Sequence, residues 1–119
     1  MIGIDLVSIN RIQKIVDRFG DKGLRKFLSE NEIKIAKKTE TIAGFYAAKE
    51  AVSKALKCGI GSECGFLDIV IKKSDKNAPF LEFSDELIKR FDIKDSSLSI
   101  THDGGFAVAV VAIECGGIG

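Results

Sequence analysis

Apolar residues recur along this chain with two periods, and the period changes near its middle. Residues 1–7 (MIGIDLV) form a short run rich in Ile, which predicts a mostly buried strand. Asp5 is out of place there, because a buried carboxylate must be paired, hydrogen-bonded or bound to a metal. The spacing then turns helical. Ile9, Ile12, Ile15, Val16 and Phe19 share one face behind a capping Ser8, and Gly20 ends the helix. Residues 24–28 read as a short helix or turn. Ser29 with Glu32 three residues later predicts a capping box opening a helix to about residue 38. A third helix is predicted over about residues 41–57, ended by Gly59 and Gly61.

Beyond that point the pattern alternates. Residues 66–73 (FLDIVIKK) read as a strand, Asn77-Ala78-Pro79 as a turn, and residues 80–83 as the returning strand. Ser84 caps an amphipathic helix with Asp85 and Glu86 in its first turn and Lys89 and Arg90 in its last. Residues 98–102 and 106–114 make a final hairpin about Asp103-Gly104-Gly105. Helices come early and antiparallel strands late, so the fold class is α+β.

The length of 119 residues predicts a single domain over residues 1–119. Hydrophobic content of 45% and charged content of 29% exclude disorder by composition. The longest uncharged apolar run, residues 104–113, is far below the ~20 residues of a membrane helix. Asp5 breaks the N-terminal apolar run, so no secretory signal is expected and a cytoplasmic location is the default. Cys58, Cys64 and Cys115 match no zinc or redox spacing, and with a single His they read as reduced, apolar residues. The net charge of +1 hides an asymmetry: residues 1–57 carry 12 Lys/Arg against 7 Asp/Glu, and the remainder is acidic. A basic half fits an anionic partner or a set of solvated helix faces. A pI near 7.7 and no aromatics interleaved on the basic helix fall short of a nucleic-acid footprint.

Within FYAAKEAVSKAL, Phe45, Ala48, Val52, Ala55 and Leu56 gather on one stripe. Glu50, Lys54 and Lys57 gather opposite, with Ser53 flanking. Glu50 and Lys54 stand one turn apart, which allows a plain exposed ion pair. It equally allows Glu50 to be a hard oxygen ligand with Lys54 on a phosphate. Mg²⁺ suits such a site, taking one or two carboxylates and completing its shell from water and substrate phosphate. Asp5 is the natural second carboxylate.

These segments in this order, GIDLVSINRI, FLSENE, AGFYAAKEAVSKAL, FLDIVI, NAPFLEF and LSITHDGGFAVAVVAIE, resemble the holo-acyl-carrier-protein synthase family along nearly the whole chain. The resemblance implies the 4′-phosphopantetheinyl transferase fold, with helices packed on a small antiparallel sheet. It implies a Mg²⁺-dependent enzyme that moves 4′-phosphopantetheine from coenzyme A to a serine of apo acyl carrier protein and releases 3′,5′-ADP. By that resemblance Asp5 and Glu50 hold Mg²⁺, and Asp5, Glu50 and Lys54 are catalytic. The serine's proton would pass to a water assisted by Asp5 or Glu50. Coenzyme A would meet Asp5, Lys49, Glu50, Ser53, Lys54, Gly59, Gly61 and His102. The acidic carrier would dock on Arg11, Lys14, Arg18 and Arg25. The resemblance further implies a homotrimer with the nucleotide between neighbouring subunits, and neither nucleic acid nor membrane as partner. One departure stands out: relatives carry a basic residue after the Gly before the aromatic-Ala-Ala-Lys-Glu run, and here Gly44 is followed by Phe45. Lys37, Lys38 or Lys49 could replace that charge. A non-catalytic carrier-protein or nucleotide-binding module on the same scaffold is the alternative.

Overall fold

The computed structural model describes residues 1–117. Strand β1 (Ile2–Ser8) leads through Ser8, whose hydroxyl accepts from Arg11 N, into helix α1 (Ile9–Phe19). Two short helices follow, α2 (Asp21–Leu24) and α3 (Glu30–Ile35), and then the long helix α4 (Thr39–Ala55). A 3₁₀ turn over Phe66–Asp68 precedes β2 (Ile69–Lys73), which pairs with β3 (Pro79–Phe83) in a separate antiparallel ribbon. Helix α5 (Asp85–Phe91), β4 (Ile93–Asp103) and β5 (Phe106–Cys115) complete the chain. The main sheet is antiparallel in the order β1-β5-β4, so the first strand closes against the last. The α+β layout is the one expected.

Boundaries differ where tertiary contacts override local pattern. The α3 capping box forms, but the helix stops at Ile35, and α4 starts at Thr39, two residues early. The first short helix is residues 21–24, with a turn through Phe27 and Leu28 after it. Residues 66–68 are a 3₁₀ turn, because Asp68 folds back to accept from Gly65 N and is itself held by Ser84 Oγ. Strand β4 begins at Ile93 and is longer than its apolar stretch, since register with β5 extends pairing to Cys115 across one irregularity. Helix α4 ends with Lys57 in the left-handed region (φ 61°), not with Gly59. Lys57 N donates to Lys54 O and Cys58 N to Ser53 O, the paired bonds of a Schellman ending.

Alternation divides the main sheet into two faces. Gly3, Val7, Ala107, Ala109, Val111 and Ile113 point inward, and α4 lies across them. The outer face carries Ile2, Ile4 and Leu6 beside Ala112, Val110 and Val108. It is apolar yet open, with Ile2 74%, Ile4 58% and Leu6 58% exposed.

Helix α4 is buried on almost every side because β1, β4, β5 and α1 all pack on it. Among its buried residues is Lys49, fully inaccessible. Its ammonium donates to Phe27 O (2.7 Å), Glu32 Oε1 (2.8 Å) and Phe66 O (3.1 Å). Glu32, also fully buried, accepts from Ser29 N and from Ile71 N as well. Burial pulls the Lys49 pKa below the ordinary lysine range, and the Glu32 carboxylate opposes that fall. The expected contact of Lys49 with coenzyme A, or with a phosphate in place of the missing charge at residue 45, is therefore wrong: all three N–H bonds are spent inside the protein. Cys64 is also fully buried, and burial pushes its thiol up to about 12, so it behaves as a small apolar residue.

Removing one member of a buried ion pair strands the other without solvent. Lys49→Met should cost about 3–5 kcal/mol in denaturant unfolding. A cost under about 1 kcal/mol would show that Glu32 reaches water.

Candidate active site

The stripe of α4 left uncovered beyond its first turn is narrow, and its residues are Tyr46, Glu50 and Lys54, each one turn apart. Strand β1 passes beside it. The approach is so close that a Cβ on Gly3 would stand 1.9 Å from Ala51 O and 2.7 Å from Ala55 N. Two residues on, on the same inward face, Asp5 reaches Lys54, with Oδ1 2.7 Å from Nζ. The Asp5 side chain is 13% exposed and that of Lys54 55% exposed. Lys54 is therefore paired with Asp5 rather than with Glu50, because the backbone contact at Gly3 brings the strand carboxylate to the ammonium. The hydrogen bond and charge of Asp5 raise the Lys54 pKa, with a smaller push from Glu50. The ammonium thus stays charged throughout the neutral range.

Glu50 is half-buried and stands between Lys54 and Tyr46. Burial raises the Tyr46 pKa, the Glu50 carboxylate adds to the rise, and Arg11 opposes it. Arg11 Nη2 lies 3.4 Å from Tyr46 Oη, with its guanidinium over the ring. The resulting row, Arg11, Tyr46, Glu50, Lys54 and Asp5, alternates charge around one phenol. Tyr46 was missed by sequence reasoning, although its position one turn before Glu50 was the available signal.

Other expected residues lie elsewhere. Ser53 is fully buried and its Oγ donates to Glu50 O at 2.7 Å, so its hydroxyl faces the helix and not a ligand; that expected side-chain contact is corrected. Gly59 and Gly61 are in the exposed loop after α4, at its Lys54 end. His102 lies toward the other end of the helix, where it lines a cleft with Thr41 and Phe45. Residues 41–45 and 50–54 stand roughly 14 Å apart along the axis. A single chain thus does not bring His102 to Asp5 and Glu50. Of the expected docking residues, Arg11, Lys14 and Arg18 are exposed on α1, while Arg25 pairs with Glu30 at 2.6 Å.

Asp5 and Glu50 are hard oxygen donors, and among the described residues no cluster of three His, Cys, Asp or Glu could form a metal cage by itself. That donor set fits an ion such as Mg²⁺, which takes one or two carboxylates and finishes its shell with water and substrate oxygens. It does not fit zinc, which takes three or four protein ligands.

The sequence pattern of the 4′-phosphopantetheinyl transferase superfamily matches residues 1–111. The chain belongs to that superfamily. A holo-[acyl-carrier-protein] synthase of Wolinella succinogenes is 59% identical over 114 residues, 96% of this chain and 97% of that protein. One from Campylobacter curvus is 57% identical over 114 residues, 96% and 100% of the two chains. The crystal structure of the Helicobacter pylori holo-[acyl-carrier-protein] synthase in complex with coenzyme A superposes with a TM-score of 0.93 at 56% identity, covering 96% of this chain and 100% of that one. The Bacillus anthracis synthase, in complex with CoA (3′,5′-ADP), gives 0.81 at 42% identity over 97% and 96%. The phosphopantetheinyl transferase fold expected from the motifs is the fold observed.

In this transferase scaffold the contact at Gly3 sets where Asp5 stands. Gly3→Ala should force β1 off α4, lowering stability by about 1–3 kcal/mol. A thermal midpoint equal to that of the parent chain would show that the strand approach is not tight.

Proposed function

We propose that this chain moves 4′-phosphopantetheine from coenzyme A to a serine of apo acyl carrier protein, with Mg²⁺ held by Asp5 and Glu50. The meeting of Asp5, Glu50 and Lys54 on the one open stripe of a buried helix carries this reading. The names and the high identity of the relatives support the reaction. The serine hydroxyl attacks the β-phosphate, a new P–O bond forms, and the pyrophosphate P–O bond breaks to release 3′,5′-ADP. Such a transfer depends on positioning and charge neutralisation more than on covalent help. Lys54 sets a fixed positive charge where negative charge grows. Glu50 has no cation within ion-pair distance among the described residues, so it is the freer carboxylate to assist removal of the serine proton through water. Bound Mg²⁺ would polarise the phosphate and stabilise the leaving oxygen.

The acidic carrier docks on the exposed cations of α1, Arg11, Lys14 and Arg18, with Arg25 contributing less because Glu30 already holds it. The chain works as a homotrimer. The open apolar rows Ile2–Ala112, Ile4–Val110 and Leu6–Val108 support this, since a contiguous apolar face of that kind marks a protein interface. The coenzyme lies between subunits, in keeping with the separation of His102 from Asp5 within one chain. A cytoplasmic setting fits three free cysteines.

Incubation with apo carrier protein, coenzyme A and Mg²⁺ should add one phosphopantetheine to the carrier's intact mass. Glu50→Gln should lower turnover at least about a hundredfold while the fold is kept. No adduct from the parent chain, where a relative gives one, would sink the transferase reading in favour of a non-catalytic module. Ile4→Asp should convert the trimer to monomers by light scattering. A trimer mass for the variant, or a monomer mass for the parent chain, would show that the sheet face is not the interface.

A further inference from the structure

Two cations stand at the open stripe of α4, and they are fixed in different ways. Lys54 is held by a carboxylate, Asp5, which offsets its charge. Arg11 is held by a ring. Its guanidinium carbon lies 5.5 Å from the centroid of Tyr46, and Nη2 donates to Tyr46 Oη at 3.4 Å. Arg11 forms no ion pair among the described residues, so its charge is placed without being neutralised.

The ring has a fixed seat of its own. Tyr46 meets Phe27 edge to face at 5.2 Å and Phe66 at 5.6 Å, and Phe27 is a core residue. Contacts between rings of this kind favour particular orientations. On α1, Arg18 also lies over a ring, but that ring is its neighbour Phe19, which is itself exposed. Arg11 is therefore the α1 arginine whose aromatic partner is anchored in the core. The contact joins residues 35 apart in sequence, and it sets a cation of α1 above one particular turn of α4. Glu50 stands one turn further along, about 6 Å down the helix axis.

A free arginine loses much rotamer freedom when it engages an anion. Holding it in place beforehand removes that cost. An aromatic face does so by stacking on the flat guanidinium, which leaves most of its N–H groups for a carboxylate. A carboxylate partner would fix the side chain equally well but would consume the charge. We propose that Tyr46 is a positioning residue for carrier recognition: it holds Arg11, charged and unpaired, one helical turn from Glu50, ready for an acidic side chain of the carrier protein. The proposal rests on the transferase reading above.

The test measures KM for the apo carrier and for coenzyme A with the full chain, following the carrier by mass. Tyr46→Leu removes the ring and should raise KM for the carrier about fivefold, the scale of one cation–π contact. Tyr46→Phe keeps the ring and loses only the hydroxyl, so its rise should be smaller, about twofold. KM for coenzyme A should not follow either change. In an Arg11→Ala background, which raises KM for the carrier by itself, both substitutions should have no further effect. A Tyr46→Leu effect that persists without Arg11 would show that the ring meets the carrier directly, and would overturn the assignment. An unchanged KM for the carrier, or an equal rise for both substrates, would overturn it too and leave the transferase reading standing. If Tyr46→Leu does not fold, Tyr46→Phe with and without Arg11 decides by the same criteria. No transfer by the parent chain would overturn the transferase reading, and the assignment with it.

Discussion

The fold is organised around one buried ion pair, Glu32 with Lys49. Taking both charges out of water costs several kcal/mol per ion, so the pair is tolerable only where every lone pair and proton is matched. Here that matching draws in five separate segments: Ser29 at the start of α3, Phe27 before it, Lys49 in the middle of α4, Phe66 in the 3₁₀ turn and Ile71 on β2. No neighbouring element can shift without stranding a donor or an acceptor. The pair thus fixes the rotation of α4 about its axis. Once Lys49 points inward, Glu50 and Lys54 must point to the remaining open side.

The second constraint is steric. A side chain at position 3 would push β1 off the helix, because the α4 backbone already fills the space where its Cβ would be. Glycine lets β1 lie against the helix, and strand alternation then delivers Asp5, two residues later, to Lys54. The chemistry of the site follows from these two facts: a helix locked in rotation and a strand locked against it. Lys54 keeps its charge because it has been given a carboxylate, and Tyr46 is held protonated by burial and by Glu50.

The same alternation creates the outer face of the sheet. Inward residues are consumed by α4, while Ile4, Leu6 and Val110 on the opposite face have no element among the described residues to cover them. A three-stranded sheet with only one helical layer leaves half of its apolar surface open. A single copy also separates His102 and Lys73, near one end of α4, from Asp5 and Lys54 near the other.

Much of this was legible in the sequence. The change of period located the helices and strands, and Ser8, Ser29 with Glu32, and Ser84 marked helix starts whose caps form as expected. Asp5 was conspicuous as a charge in an apolar run, and Glu50 and Lys54 shared a helix face by spacing alone. What the sequence could not rank was the two lysines of α4, five residues apart. Helical periodicity tells which residues share a side, but not how many sides will be covered. Strands β1, β4 and β5 together with α1 cover nearly all of them, so Lys49 and Ser53 became core residues and Lys54 remained a surface one. Nor could spacing reveal that Lys73 would finish in one cleft with His102. That proximity arises because two strands of different sheets end at one place, a property of the packed structure and not of either segment.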